Sequence, residues 1–427
     1  MSTYILPGVR SPFTRMDRQL ADLNALRLSV PVAQQTVVGD TGIGHANAGD
    51  VDLVLWGAVI PNLSVSNWGR EVWLDSVLDP HVPAQTIIQA CATSLAGATH
   101  AAGQALAGRL DIGLVGGVES MSNTQIGLSR GLSRTVRRSA SSKGAKQMLR
   151  TIGEIRMSDI RVSIPGVKER TTRKSMGEHA EEMAKEWGVT REEQDELALA
   201  SHRRAVAAQE RGFFRDLLVT PGTFPVDADT LPRGETSMEK LSELRPAFDK
   251  TNGTLTAGNS SPLTDGAAAC WVASEAGLTG FSDNLPRVRL LDWEEAAIDP
   301  RREGLLIAPA IAIPRMLARH DLTYGDVDLW ELHEAFAAQV LCTVRALEDR
   351  TWLREHSGVD RDFGPFPIDQ LNPNGGSLAL GHPFAATGAR ILSQTVRELA
   401  ERAGGTKGVV SICAAGGLGH VALVESV

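Results

Sequence analysis

Short apolar runs alternate with stretches of helical spacing along most of the chain. Residues 4–6 (YIL) form a short apolar run broken by Pro7 and Gly8, so a short strand is expected there. Residues 25–37 carry apolar positions at helical intervals. Residues 51–60 (VDLVLWGAVI) read as a strand stopped by Pro61 and Asn62. Residues 86–88 (TII) read as a buried strand running straight into Cys91. The Ala/Gly-rich run behind it, as far as Gly108, reads as a buried helix. Cys91 then occupies a tight turn between the two. Residues 111–118 (DIGLVGGV) form a further buried strand. This alternation predicts a layered α/β fold.

Beyond residue 123 the pattern changes. Residues 130–161 carry Arg130, Arg134, Arg137, Arg138, Lys143, Lys146, Arg150, Arg156 and Arg161 against only Glu154 and Asp159. Met148, Leu149, Ile152, Ile155 and Met157 recur at near-helical intervals among them. Residues 175–212 predict two polar helices, the second opened by a capping box of Thr190 and Glu193. Residues 227–241 are loop-like. The stretch 125–256 is therefore expected to be an inserted, mainly helical loop domain.

The remainder looks like the first part repeated. Residues 326–333 (DVDLWELH) echo 50–57 (DVDLVLWG), and 408–417 (GVVSICAAGG) echo 111–117 (DIGLVGG). The period is far too long for a solenoid. Two duplicated α/β halves are expected, with site residues converging from loops at strand ends. The first half spans 1–124 and 257–284, interrupted by the insertion; the second spans 285–427.

Composition narrows the classes. A chain of 427 residues suggests about three domains. Its net charge of −8 argues against a general nucleic-acid binder. The four cysteines (Cys91, Cys270, Cys342, Cys413) are widely spaced, without a CxxC pair. They suit neither a disulfide framework nor a zinc site, so a reducing compartment and no metal are expected. The N-terminus carries no signal-peptide apolar core, and the longest apolar run, 305–313, contains Pro309 and is too short for a membrane span. A cytoplasmic location is expected.

Candidate chemistry sits at four places. At the start of a helix, Cys91 would feel the positive end of the dipole, which favours thiolate; as a lone cysteine it reads more readily as a core residue. The glycine-punctuated loop 372–383 (NPNGGSLALGHP) ends in His382, with Pro383 suited to a first helical turn. Residues 333–339 (HEAFAAQ) follow a strand and open a helix at His333. Residues 413–419 (CAAGGLG) place Cys413 before a glycine-rich turn whose free backbone N–H groups could bind an oxyanion. Taken singly, the last three read as a loop histidine, a capping histidine and a core cysteine.

Together these residues resemble the thiolase family (acetyl-CoA C-acyltransferases). The resemblance runs from end to end. It takes in 10–13 (RSPF), the Cys91 stretch, 116–122 (GGVESMS), Met176 with Gly177, 244–248 (LRPAF) and 255–267 (LTAGNSSPLTDGA). The His333, His382 and Cys413 blocks complete it. It implies a thiolase fold of two βαβαβαββ-type halves in αβαβα layers. It implies a ping-pong reaction in which Cys91 carries the acyl group. His382 would activate Cys91, and Cys413 would handle the α-carbon and CoA thiol protons, work that calls for a lowered thiol pKa. His382, with a water held at His333, would form one oxyanion hole, and backbone N–H groups near Cys91 and Ala415 the other.

His333 departs from the Asn usual in the family. It is similar to the degradative 3-ketoacyl-CoA thiolases of β-oxidation complexes. The same resemblance implies that Arg233, Ala257, Ser261 and Met176 contact the acyl-CoA substrate, with CoA as co-substrate and no resident cofactor. It further implies a homodimer or tetramer and a partner subunit with enoyl-CoA hydratase and 3-hydroxyacyl-CoA dehydrogenase activities. For 130–161, peripheral contact with an anionic membrane or a partner is expected; a solvated helix pair is the plainer reading. Acetoacetyl-CoA thiolase, a catalytically silent scaffold and a ketoacyl synthase are the competing functions. The Cys413 turn disfavours a synthase.

Overall fold

A computed structural model describes residues 2–39, 50–160, 162–163 and 168–427. Arg161, expected to belong to the basic segment, lies outside the described residues. The chain divides into a large compact unit (residues 1–59, 67–123 and 168–427) and a small one (60–66 and 124–167). Of the stretch expected as an insertion, 168–256 is therefore part of the large unit.

A ten-stranded mixed sheet organises the large unit. Its main strands are β1 (Thr3–Arg10), β2 (Leu53–Gly57), β3 (Ala84–Thr86), β4 (Ile112–Glu119), β5 (Thr264–Ser274), β6 (Val288–Ala297), β7 (Leu329–Leu332), β8 (Lys407–Ala414) and β9 (Leu418–Ser426), in spatial order β7-β8-β9-β6-β1-β5-β4-β2-β3. The duplication is visible in the pairing. In the first half β2 pairs parallel with β4, β4 antiparallel with β5, and β5 antiparallel with β1. In the second half β7 pairs parallel with β8, β8 antiparallel with β9, and β9 antiparallel with β6. Antiparallel pairing of Thr3, Tyr4 and Ile5 with Leu290, Arg289 and Val288 joins the halves. Near-continuous apolar runs such as β4 and β8 are buried along almost their whole length, as strands covered on both faces require.

Two local expectations are corrected. The first strand runs through Pro7 and Gly8 instead of ending there. Pairing with β6 stops at Ile5, and the register against β5 slips between Pro7 and Arg10. The missing proline N–H therefore breaks no ladder bond on the β6 side. The next backbone donors go to side chains, Gly8 N to Ser393 Oγ (3.2 Å) and Val9 N to Thr36 Oγ1 (3.2 Å). The strand before Cys91 ends at Thr86, and Ile88 is 57% exposed. β3 is a short edge strand, and the chain leaves it before the turn begins.

The helix behind Cys91 spans Thr93–Leu106 and the one behind His382 spans Thr387–Ala400. They interlock. Ser94 Oγ donates to the Ala385 carbonyl (2.6 Å) and accepts from Ala389 N (2.8 Å). A Cβ on Gly388 would come within 2.4 Å of Leu95 N, so only glycine permits this approach. The predicted polar helices are Met176–Glu186 and Arg191–Glu210, each with a capping box, Ser175 with Glu178 and Thr190 with Glu193.

In the small unit, helices Arg130–Ala140 and Ala145–Ile152 carry most of the basic residues. Val136, Met148, Leu149, Ile152, Met157 and Ile160 are exposed beside them. Among the described residues, no helix is long and apolar enough to cross a membrane.

Candidate active site

Cys91 sits on a strained turn. Ala90 has φ of 47°, a left-handed conformation that L-residues with a side chain seldom adopt. Thr93 holds the turn from both sides: its hydroxyl donates to the Ala90 carbonyl (2.7 Å) and accepts from Gln89 N (2.9 Å). The turn presents the Cys91 sulfur 3.2 Å from His382 Nε2.

His382 is buried on a loop of fixed shape. Gly381 has φ of 94°, and a Cβ there would meet Leu231 and Thr264. His382 N donates to Thr264 Oγ1 (3.0 Å), and Nδ1 lies 2.7 Å from Thr387 Oγ1. Burial first, and then the Arg390 charge, lower its pKa to about 3. The ring is thus neutral at physiological pH and able to accept a proton.

His333 follows β7, anchored by its N–H to the Ser411 carbonyl (2.8 Å). Its ring lies 4.1 Å from that of His382, centroid to centroid. Nδ1 is 3.0 Å from Ser377 Oγ. A ring nitrogen of each histidine and the Cys91 sulfur lie within 4.8 Å of one another, a donor set that could also hold a metal ion.

Cys413 is the penultimate residue of β8 and is 2% exposed. Gly416 and Gly417 continue it with φ of 89° and 76°, a turn that side chains would strain. The backbone of Ala415 in this turn faces the Cys91 thiol and pulls its pKa down. Glu169 braces the turn by accepting from Gly416 N (3.1 Å).

The thiols contradict the expectation of lowered pKa values. Burial pushes Cys91 up to about 12, against the opposing pull of the Ala415 backbone. Burial, and then the neighbouring Cys91, raise Cys413 well above the ordinary thiol value. Desolvation of a charged sulfur outweighs the helix terminus at Cys91. Neither sulfur rests as a thiolate, so each needs a partner to move its proton.

The structure therefore brings Cys91, His382, His333, Cys413 and Ala415 together. The substrate-contact candidates are spread more widely. Ala257 is exposed and Ser261 half-buried on a segment running beside the His333 loop: Ser261 N donates to the Ala335 carbonyl (3.0 Å) and Ala337 N to the Asn259 carbonyl (3.0 Å). Met176 opens its helix, half-buried against the second-half core. Arg233 is exposed and donates its backbone N–H to His202 Nδ1 (3.2 Å). Sequence reasoning passed over Ser377, Thr387 and Thr264, which orient the histidines. Ser377 and Thr387 lie five residues either side of His382, and that proximity was the only signal.

Family profiles described as "Thiolase, N-terminal domain" and "Thiolase, C-terminal domain" match residues 3–276 and 285–426. A protein of Erwinia tasmaniensis named 3-ketoacyl-CoA thiolase is 37% identical, with 99% of this chain and 96% of that one covered. One of Pectobacterium atrosepticum with the same name is 38% identical, with 98% and 95% covered. Among solved structures, the acetyl-CoA acetyltransferase of Bacillus anthracis superposes with a TM-score of 0.80 at 30% identity, covering 100% and 99% of the two chains. A thiolase of Ascaris suum, solved in complex with coenzyme A, gives 0.82 at 26% identity over all of both chains.

Proposed function

The chain belongs to the thiolase family, and from that premise we propose that it is a 3-ketoacyl-CoA thiolase. It cleaves 3-ketoacyl-CoA with CoA to acetyl-CoA and a shortened acyl-CoA. The observation that carries this reading is the Cys91 sulfur held 3.2 Å from His382 Nε2, in one cluster with a second thiol. It is an acyltransferase that uses CoA as substrate and needs no resident cofactor.

His382 Nε2 takes the Cys91 proton as the sulfur attacks the C3 carbonyl, which avoids a free buried thiolate. The tetrahedral oxyanion accepts from the Ala415 and Cys91 backbone N–H groups. The C2–C3 bond then breaks, leaving the acyl group on Cys91 and the electron pair on the acetyl-CoA enolate. Cys413 S–H protonates that carbon, and acetyl-CoA departs. A CoA thiol enters and gives its proton to the Cys413 thiolate. Its sulfur attacks the acyl thioester, and His382 returns the first proton to Cys91. Two thiols serve because two protons move at different carbonyls.

Mass spectrometry after mixing with a 3-ketoacyl-CoA should find the acyl adduct on Cys91; an adduct on another residue would refute the assignment. Turnover across chain lengths tests the substrate. Activity confined to C4 would make this an acetoacetyl-CoA thiolase, the reading favoured by the likeness to the Bacillus anthracis enzyme.

The finer assignments follow from the same reading. The enzyme works in the cytoplasm as a homodimer or tetramer. Its substrate is made by hydration and dehydrogenation of an enoyl-CoA, so its partner is a subunit with those two activities. Arg233, Ala257, Ser261 and Met176 contact the acyl-CoA. The basic helices of the small unit, with their exposed Met148 and Leu149, touch anionic lipid peripherally. Absence of lipid-dependent pelleting with cardiolipin vesicles at low salt would reject the membrane contact.

A further inference from the structure

His333 is tethered on one side only. Its Nδ1 faces Ser377 Oγ at 3.0 Å, while Nε2 is buried and has no hydrogen-bond partner among the described residues. With Nδ1 turned to Ser377, Nε2 is the nitrogen left for the reacting centre. Whether it offers a proton or a lone pair depends on the tautomer, and the hydrogen-bond network decides that.

Arg390 settles the direction. It is 2% exposed, and its Nη2 donates to Ser377 Oγ at 2.8 Å. A guanidinium has no acceptor, so Ser377 must accept there. The hydroxyl has one hydrogen left to give, and His333 Nδ1 is its remaining partner among the described residues. Ser377 O–H therefore donates to Nδ1, and the neutral ring carries its proton on Nε2. The other tautomer would leave a buried hydroxyl hydrogen without an acceptor. The Arg390 charge also polarises the hydroxyl toward donation. Burial, the neighbouring His382 and Arg390 hold His333 well below the usual histidine range, so the ring stays neutral.

His382 has the reverse arrangement. Its Nε2 must accept the Cys91 proton, so its ring proton sits on Nδ1, toward Thr387 Oγ1 at 2.7 Å. Two imidazoles 4.1 Å apart thus hold opposite tautomers, one an acceptor and one a donor.

We propose that Ser377, backed by Arg390, is a positioning residue that fixes His333 as an Nε2–H donor to the oxygen on which charge develops as the C2–C3 bond breaks. The inference rests on the thiolysis reaction proposed above. Ser377 itself touches no reacting atom.

The test has two arms. In the full-length protein labelled with 15N-histidine, the His333 resonances should report an Nε2–H tautomer, and Ser377→Ala should turn them into a mixture. This arm needs no turnover, so it stands even if the substrate assignment fails. In the second arm, Ser377→Ala should lower kcat about 10- to 100-fold with KM little changed, a fraction of what losing an oxyanion donor costs. Ser377→Thr keeps the hydroxyl and should restore activity to within about threefold of wild type. In a His333→Asn background, whose amide donates without any tautomer, Ser377→Ala should cost less than about threefold. An Nδ1–H tautomer in the wild-type protein would overturn the proposal. An equal loss from Ser377→Ala in both backgrounds would overturn it too, because that is what a purely structural role predicts.

Discussion

The turns that carry Cys91 and Cys413 set the same side chain in two different surroundings. Cys91 follows an edge strand, comes after Ala90 at φ of 47° and stands half-buried 3.2 Å from an imidazole. Cys413 is the penultimate residue of an interior strand, is 2% exposed and is followed by Gly416 and Gly417. Both thiols are held protonated by burial. What separates them is the partner within reach, not acidity. A thiol with an adjacent neutral histidine can shed its proton in the act of attacking. One without it is suited to exchanging a proton with substrate carbon or sulfur. Reactivity here belongs to pairs of residues.

The largest effect that would break the comparison is Cys91→Ala. Turnover should fall by about 10⁴-fold or more, as for loss of a nucleophile elsewhere, and no acyl adduct should form. Cys413→Ala should lower thiolysis by about 10²- to 10⁴-fold, the usual worth of a general acid–base. Acetyl-CoA should still label Cys91 in that variant, while deuterium exchange at its methyl group, followed by NMR, is lost. Equal loss of both signals would erase the distinction between the thiols.

Gly388→Ala addresses the frame that holds Cys91 against His382. Its Cβ would press on Leu95 N at 2.4 Å and Ser94 Oγ at 2.9 Å, both in the Cys91 helix. Overpacking of this kind costs about 1–3 kcal/mol. A lower Tm together with slower acylation is expected; a Tm drop with unchanged acylation would mean the frame does not position the pair.

The mildest test is pH. With Cys91 near 12 and His382 near 3, thiol and imidazole both stay neutral across the physiological range. Iodoacetamide labelling of Cys91 should keep rising with pH above 9 instead of reaching a plateau near 7. The histidine also bears on stability. A group whose folded pKa is depressed contributes stability above its unfolded pKa, about 6.5 for histidine. For His382 that contribution is lost as pH falls toward 3. Acid unfolding should therefore begin below about 6.5, and His382→Asn should soften its onset.

Much of this was legible along the chain. The echo between 50–57 and 326–333 predicted a duplicated α/β half, and the structure repeats the parallel pairing of β2 with β4 in that of β7 with β8. The capping box at Thr190 declared its helix locally. Cys91, His382 and His333 stood out because each stands where a strand or a glycine-rich turn leads to a helix, and Cys413 because it links a strand to a glycine-rich turn. Less legible was the strand that passes Pro7, since only the neighbouring pairing shows where a missing N–H goes unneeded.

By itself, the sequence determined which residue types stand at which strand ends, because hydrophobic period and turn chemistry are local properties. Tertiary structure alone decided how those residues work. Residues 291 positions apart meet as Cys91 and His382. Burial reversed the thiol pKa that the helix terminus suggested. The acceptor or donor role of each histidine is set by Thr387, Ser377 and Arg390. Desolvation and hydrogen-bond direction depend on what surrounds a group in space, and no window of sequence contains that.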